Sequence, residues 1–176
     1  MTKLIYYGID DGERKDILLD TADAFDITKR EVKDEELGEL LGYLAGLEGY
    51  EKAGEGGDPI GEELLVFVDF PSNLLQQFLL ELRQKGEVFP HKAAMTETTK
   101  DWTFGRLVNH IQRENSVVTS WSELLPVVKE SLEKQKQVPT KARQDAIEWT
   151  KALRSKGDDL TEGDVREAIR RLKATL

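Results

Sequence analysis

The sequence predicts an α/β fold: a three-layer domain with a four-stranded, mostly parallel sheet, strand order 2-1-3-4 preferred, followed by a C-terminal three-helix extension. Three observations predict it. Leu64-Leu65-Val66-Phe67-Val68 is a continuous apolar run, the pattern of a strand covered on both faces in the centre of a parallel sheet. Each strand-like segment up to Asn115 is followed by a helical stripe, so the chain reads as four strand–helix repeats. Beyond Asn115 the strand signals stop and only amphipathic helical patterns continue. The domain limits follow as 1–115 and 116–176.

The elements can be justified in order. Residues 3–9 read as a buried strand ended by Asp10-Asp11-Gly12, after which Ile17, Leu18, Thr21, Ala22 and Phe25 mark one face of a helix. Residues 27–32 form a short polar strand suited to a sheet edge. Leu37, Leu40, Leu41 and Leu44 give a helical stripe with Asp34 as its cap. Gly38, Gly42 and Gly46 on that stripe each weaken a helix by up to about 1 kcal/mol relative to alanine, which predicts close backbone packing on the sheet or a neighbouring helix. Residues 47–63 form a glycine-rich acidic loop; it lacks the Gly-Lys-Ser/Thr ending of a phosphate loop, and its carboxylates, Glu55 and Asp58 among them, repel phosphate.

After the central strand, Asp69-Phe70-Pro71-Ser72-Asn73 turns into a helix burying Leu74, Leu75, Phe78, Leu79 and Leu82 and stopping at Gly86. Lys92–Thr96 is a short fourth strand. Thr98 or Thr99 then caps a helix with the face Phe104, Leu107, Val108 and Ile111. In the extension, Ser120-Trp121-Ser122-Glu123 is a capping-box pattern opening a helix that Pro126 kinks or delays. Pro139-Thr140 opens the next helix, through Ala142, Ala146, Trp149 and Leu153. Thr161 caps the last, with Val165, Ala168, Ile169, Leu172 and Leu176 on one face.

Charge and composition narrow the function classes. Residues 1–115 hold 13 Lys/Arg against 24 Asp/Glu, a balance of −11, and residues 116–176 hold 12 against 10, a balance of +2. An acidic body disfavours nucleic acid, whose affinity rests on cations displacing counterions. With no cysteine there are no disulfides, thiolate metal sites or thiol nucleophiles, which predicts a reducing, cytoplasmic setting. The opening Met1–Tyr7 is too short an apolar run for a signal segment or a membrane span, so no membrane partner is expected.

The segment His91-Lys92-Ala93-Ala94-Met95-Thr96-Glu97-Thr98-Thr99-Lys100-Asp101-Trp102, with Leu4-Ile5-Tyr6-Tyr7-Gly8 and Leu65-Val66-Phe67-Val68, resembles a family of small uncharacterised bacterial proteins known as a domain of unknown function. The resemblance covers residues 3–115. The family pattern runs Lys-Ala, one or two apolar residues, Thr-Pro-Thr-Asn and then a tryptophan; here Glu97 replaces the proline and Thr99 the asparagine. The resemblance implies no activity.

Candidate chemistry centres on carboxylates at strand ends. In a parallel sheet of order 2-1-3-4, Asp10 and Asp11 after the first strand and Asp69 after the third would sit side by side, an oxygen set suited to Mg²⁺. This resembles a response-regulator receiver, with Thr96 at the next strand end, but no fifth strand carrying a lysine follows. The same acids also read as caps and turns. Thr96, Thr98 and Thr99 expose hydroxyls and amides that can cap a helix or hold an anion, and Trp102 is expected to pack on the core. His91 and His110 lack an HExxH-like spacing, and Ser72, Ser116, Ser120 and Ser122 stand at turns and caps with no Gly-x-Ser-x-Gly elbow. No catalytic residue and no cofactor is predicted. The expectation is therefore a non-enzymatic regulatory or protein-interaction module, with a protein partner or self-association through the helical extension. The alternative is a small-ligand or Mg²⁺-binding protein using Asp10, Asp11, Asp69 and the Thr96–Thr99 turn.

Overall fold

Alternation along the first strand sets the layers. In the computed structural model, which describes residues 1–52, 54, 56–57 and 59–176, β1 (Lys3–Tyr7) buries Leu4 and Tyr6 on one face and Ile5 and Tyr7 on the other. Leu4 and Tyr6 join Leu18 and Ala22 of α1 (Glu13–Ala24) and Phe78 and Leu82 of α3 (Ser72–Gln84) in one cluster. Ile5 and Tyr7 join Leu41 and Leu44 of α2 (Leu41–Ala45) and Phe104, Leu107 and Val108 of α4 (Phe104–Gln137) in the other. With β2 (Thr28–Glu31), β3 (Leu64–Val68) and β4 (Lys92–Ala94), the sheet has the order β2-β1-β3-β4, as predicted, with the polar β2 at an edge.

The sheet is mixed. β1 pairs parallel with β2 and β3 parallel with β4, whereas β1 and β3 are antiparallel, with Lys3 opposite Val68 and Tyr7 opposite Leu64. The reason lies in the β2–β3 connection. The helix predicted from Leu37, Leu40, Leu41 and Leu44 is broken: a 3-10 turn at Asp34–Glu36 is followed by only five residues of α2. Backbone groups between them bond instead to the start of α4, through Leu41 N–H to Trp102 O (2.9 Å), Phe104 N–H to Glu39 O (2.9 Å) and Gly105 N–H to Leu37 O (2.8 Å). No crossover helix then carries the chain back along the sheet. Instead Tyr7, at the end of β1, holds Ile60 in place: its hydroxyl accepts from Ile60 N–H at 2.9 Å and donates toward Asp34 Oδ1 at 2.8 Å. The chain therefore enters β3 where β1 finishes.

The glycines predicted to pack closely meet a loop ring at Gly42, a loop backbone at Gly38 and, at Gly46, the Lys3 side chain of β1. A side chain at Gly42 would meet the Tyr50 ring, and Gly46 ends α2 with φ 75°. Gly38 lies against the backbone of Gly54, whose N–H donates to the buried Glu39 carboxylate at 3.0 Å. Glu55 and Asp58 of the acidic loop lie outside the described residues.

The chain divides into two compact units, Met1–Gln112 and Arg113–Leu176. The break expected near Asn115–Ser120 does not occur, because α4 is continuous from Phe104 to Gln137 with Pro126 inside it. A proline forfeits one i to i−4 hydrogen bond, and here the apolar face runs past it: Ser120 and Leu124 are buried, with Val127 and Val128 on the same core. Ser122 does not cap a helix; its hydroxyl donates to Val118 O at 3.0 Å. α5 (Lys141–Ala152) is capped by Thr140 and α6 (Glu162–Lys173) by a Thr161–Asp164 capping box, as their sequences predict. The three helices close on their own core of Leu124, Ala146, Ile147, Leu153, Val165, Ala168 and Leu172.

Candidate functional site

Strand direction decides the fate of the predicted acidic pocket. Asp10 and Asp11 follow β1 and Asp69 follows β3, and because these strands are antiparallel the two groups lie at opposite ends of the sheet. The strand between them spans about 13 Å at roughly 3.3 Å per residue. Asp69 takes the left-handed backbone at φ 54°; its carboxylate accepts from the Met1 ammonium at 3.3 Å, and its carbonyl from the Thr2 hydroxyl at 3.3 Å. Asp11 instead accepts from Lys15 Nζ at 2.7 Å, and Lys15 also donates to Glu31 at 2.7 Å. The expected single cluster of Asp10, Asp11 and Asp69 is not brought together. Among the described residues no group of three or more His, Asp or Glu side chains is arranged to hold a metal ion.

At the acidic end of β1, Asp11, Glu31, Glu63 and Glu87 are paired with Lys15 and Arg14, while Asp10 is exposed. Lys15 is buried, and its hydrogen bonds to Asp11 and Glu31 hold its pKa well above the ordinary lysine range, while the same bond lowers Asp11. Burial pushes Glu31 up, but hydrogen bonds from Lys15 and Lys33 outweigh it and the net shift is down. Alongside, Arg14 bonds Glu87 at 2.9 Å and Glu63 at 2.8 Å and lies over the Phe89 ring at 4.2 Å. These are matched ion pairs anchoring α1 to the segments flanking β3 and β4.

β4 runs parallel to β3, so the Thr96–Thr99 turn shares the sheet end of Asp69. Within it Thr96 N–H donates to Thr99 Oγ1 at 2.9 Å, Thr99 N–H to Thr96 Oγ1 at 3.2 Å, and the two hydroxyls are 3.1 Å apart. Thr98 precedes a 3-10 turn at Thr99–Asp101 and makes no capping bond. The α4 cap is Thr103, which accepts from Arg106 N–H at 3.3 Å, a correction to the expected Thr98 or Thr99. Trp102 packs on the core, with Arg106 stacked over it at 4.1 Å and His110 edge-on at 5.1 Å. His91 stands elsewhere, beside Glu62 at 3.5 Å.

An open cleft of about 620 Å³ lies between the start of α4 and the glycine-rich loop, with Leu37, Ile60, Gly105, Arg106 and Asn109 in its lining. Gly105 permits the close docking that forms it, since a Cβ there would stand 3.2 Å from Leu37 O. The first amides of α4 are bonded within the chain, and Asn109 returns its amide to Gly105 O at 2.9 Å. Among the described residues the cleft's polar side chains are Thr103, Asn109 and Arg106, the last backed by the Trp102 ring.

The helical unit carries the feature the sequence reading missed. Val118, Leu125 and Leu132 on α4 are exposed by 63%, 55% and 38%, and they recur every seven residues. That spacing was available in the sequence, but the presumed break before Ser120 hid it. Elsewhere in this unit the buried Arg143 donates to Val138 O at 2.7 Å and to Thr175 O at 2.7 Å, tying α5 to the end of α6, whereas the buried Ser131 hydroxyl on α4 has no hydrogen-bond partner among the described residues.

Among the described residues no helix is long and apolar enough to cross a membrane. No curated protein and no solved structure gives a match to the chain. Residues 63–117, which include β3, α3, β4 and the Lys92–Trp102 segment but not β1, match the model of a family described as a domain of unknown function (DUF3783).

Proposed function

We propose that the chain is a non-enzymatic regulatory or protein-interaction module whose contact surface lies on the helical unit, residues 113–176. The observation that carries this reading is the exposed stripe of Val118, Leu125 and Leu132 on a helix whose opposite face already has a core. Large apolar side chains gathered on one face mark contact surfaces, whereas scattered ones do not. The charge balance points the same way: the acidic body repels a phosphate backbone, leaving protein as the favoured partner. Lys15, Arg14 and the Thr96–Thr99 turn spend their bonds within the first unit, as structural ion pairs and turns do. A cysteine-free chain suits a cytoplasmic setting.

The test is amide hydrogen exchange of the full chain, dilute and alone, then concentrated, then with soluble extract of the source cells. Protection gained in residues 113–137 under either of the last two conditions supports the reading. Protection confined to the Leu37–Asn109 cleft, or none at all, overturns it.

A further inference from the structure

Resting on that interaction reading, we propose that the stripe's partner is a second copy of this chain, docked antiparallel along α4 about a twofold axis at Leu125. Seven residues advance an α-helix by two turns less about 20°, so Val118, Leu125 and Leu132 form a nearly straight row some 21 Å long at about 1.5 Å per residue. Between them Trp121 and Val128, both half-buried, complete an alternating three-four spacing, the pattern by which helices interdigitate. Pro126 lies roughly 100° around the helix from Leu125 and does not intrude on the row.

The row is self-complementary. Leu125 is seven residues from each neighbour, so an antiparallel twofold sets Leu125 against itself and Val118 against Leu132 of the second copy, twice over. Charge selects this direction over the parallel one. Glu114 lies eleven residues before Leu125 and Lys136 eleven after, and eleven residues return to within about 20° of the same face. Antiparallel docking places Glu114, which also has a partner within its own chain, against Lys136 of the other copy at both ends; parallel docking places like against like. Lys136 is exposed and has no ion pair among the described residues. Three apolar side chains per copy make a contact smaller than a standard interface, so the dimer is concentration-dependent, with a dissociation constant of order 10 to 100 μM.

Sedimentation velocity of the full chain from about 1 to 500 μM spans that range. The expected result is a monomer–dimer equilibrium that Leu125→Glu, at an exposed position and checked for intact helix by circular dichroism, weakens at least about tenfold. Glu114→Lys and Lys136→Glu should each weaken it about threefold, and the double reversal should restore it. Because the chain has no cysteine, orientation is read directly. Oxidising a mixture of Val118→Cys and Leu132→Cys chains should join unlike chains in preference to like ones. A monomer throughout, a dimer indifferent to Leu125→Glu, or like-with-like crosslinking overturns the proposal. A monomer whose α4 nonetheless gains exchange protection in extract refutes the second copy and leaves the interaction reading standing; no protection removes both.

Discussion

Tyr7→Phe tests why β3 enters the sheet antiparallel to β1. The Tyr7 ring is buried and edge-on to Phe104 at 5.8 Å, so phenylalanine keeps the packing and removes only the hydroxyl. That hydroxyl accepts from Ile60 N–H at 2.9 Å and lies within donating reach of Asp34 Oδ1 at 2.8 Å and Ile60 O at 3.1 Å. Asp34 is exposed and finds water when released, whereas Ile60 is half-buried, so the main loss is one backbone partner plus a charge-assisted bond. The expected cost is about 1–2 kcal/mol, or roughly 4–10 °C in the melting of a unit this size. Because the chain has two compact units, the assay should resolve them: amide exchange followed residue by residue, with Ile60 and the β3 amides accelerating and the α5 and α6 amides unchanged. Burial raises the Tyr7 pKa, so the folded state holds its proton more firmly than the unfolded state. Stability from this group is complete below pH 10 and falls as pH rises through the raised value, a loss absent in the variant. Unchanged Ile60 exchange and unchanged melting in Tyr7→Phe would refute the clasp.

Other substitutions probe separate links. Gly42→Ala gains up to about 1 kcal/mol of helix propensity but displaces the Tyr50 ring from its bond to Asp101; chemical denaturation should show it neutral or destabilising in the native chain and stabilising in a Tyr50→Ala background. Asp69 occupies a left-handed position, so Asp69→Gly should hold or raise stability and Asp69→Val lower it by about 1–2 kcal/mol in the same measurement. With Asp69 at the far end of the sheet from Asp10 and Asp11, Mg²⁺ at matched ionic strength should shift the melting of wild type and Asp69→Ala equally; a wild-type rise lost in the variant would contradict this. In the helical unit, hydrogen bonds from Lys156 and Thr161 hold Asp164 at about 2, and those from Arg170 and Arg171 hold Glu167 at about 2. Both pKa values lie below the unfolded 3.8 and 4.5, so their stabilisation is present above about pH 4.5 and is lost as pH falls toward 2, visible as an acid transition in α6 that Lys156→Met makes shallower.

What was legible in the sequence was local. The apolar run at Leu64–Val68, the polarity of Thr28–Glu31 and the caps at Thr140 and Thr161 each carry their own physics within a few residues, and each element formed as read. The Leu37–Leu44 stripe was an equally good local pattern and failed, because backbone groups at Leu37, Glu39 and Leu41 found partners some sixty residues away at Trp102, Phe104 and Gly105. No period in a single sequence reports such a partner. The strand order survived this because it depends on which strands are most apolar. The mostly parallel sheet survived as well, with two of the three strand pairs parallel; only the β1–β3 direction departs, because it depends on the route taken between those strands.

The candidate site inherits that distinction. Asp10, Asp11 and Asp69 follow strands of the kind that frame ligand pockets, and only the relative direction of β1 and β3 decides whether they converge. The stripe on α4 fails in the opposite sense: Val118, Leu125 and Leu132 are related by spacing within one helix, yet the sequence places Leu125 and Leu132 on a helix that starts at Ser120–Glu123 and leaves Val118 outside it. A proline interrupts a helix when the residues around it have nothing else to hold them. Here Leu124, Val127 and Val128 hold the flanking turns to α5 and α6, so the helix continues and its outer face becomes a single row. The packing that overrides Pro126 on the inner face therefore also aligns the apolar residues on the outer one, and loss of the core at Leu124 would dissolve both together.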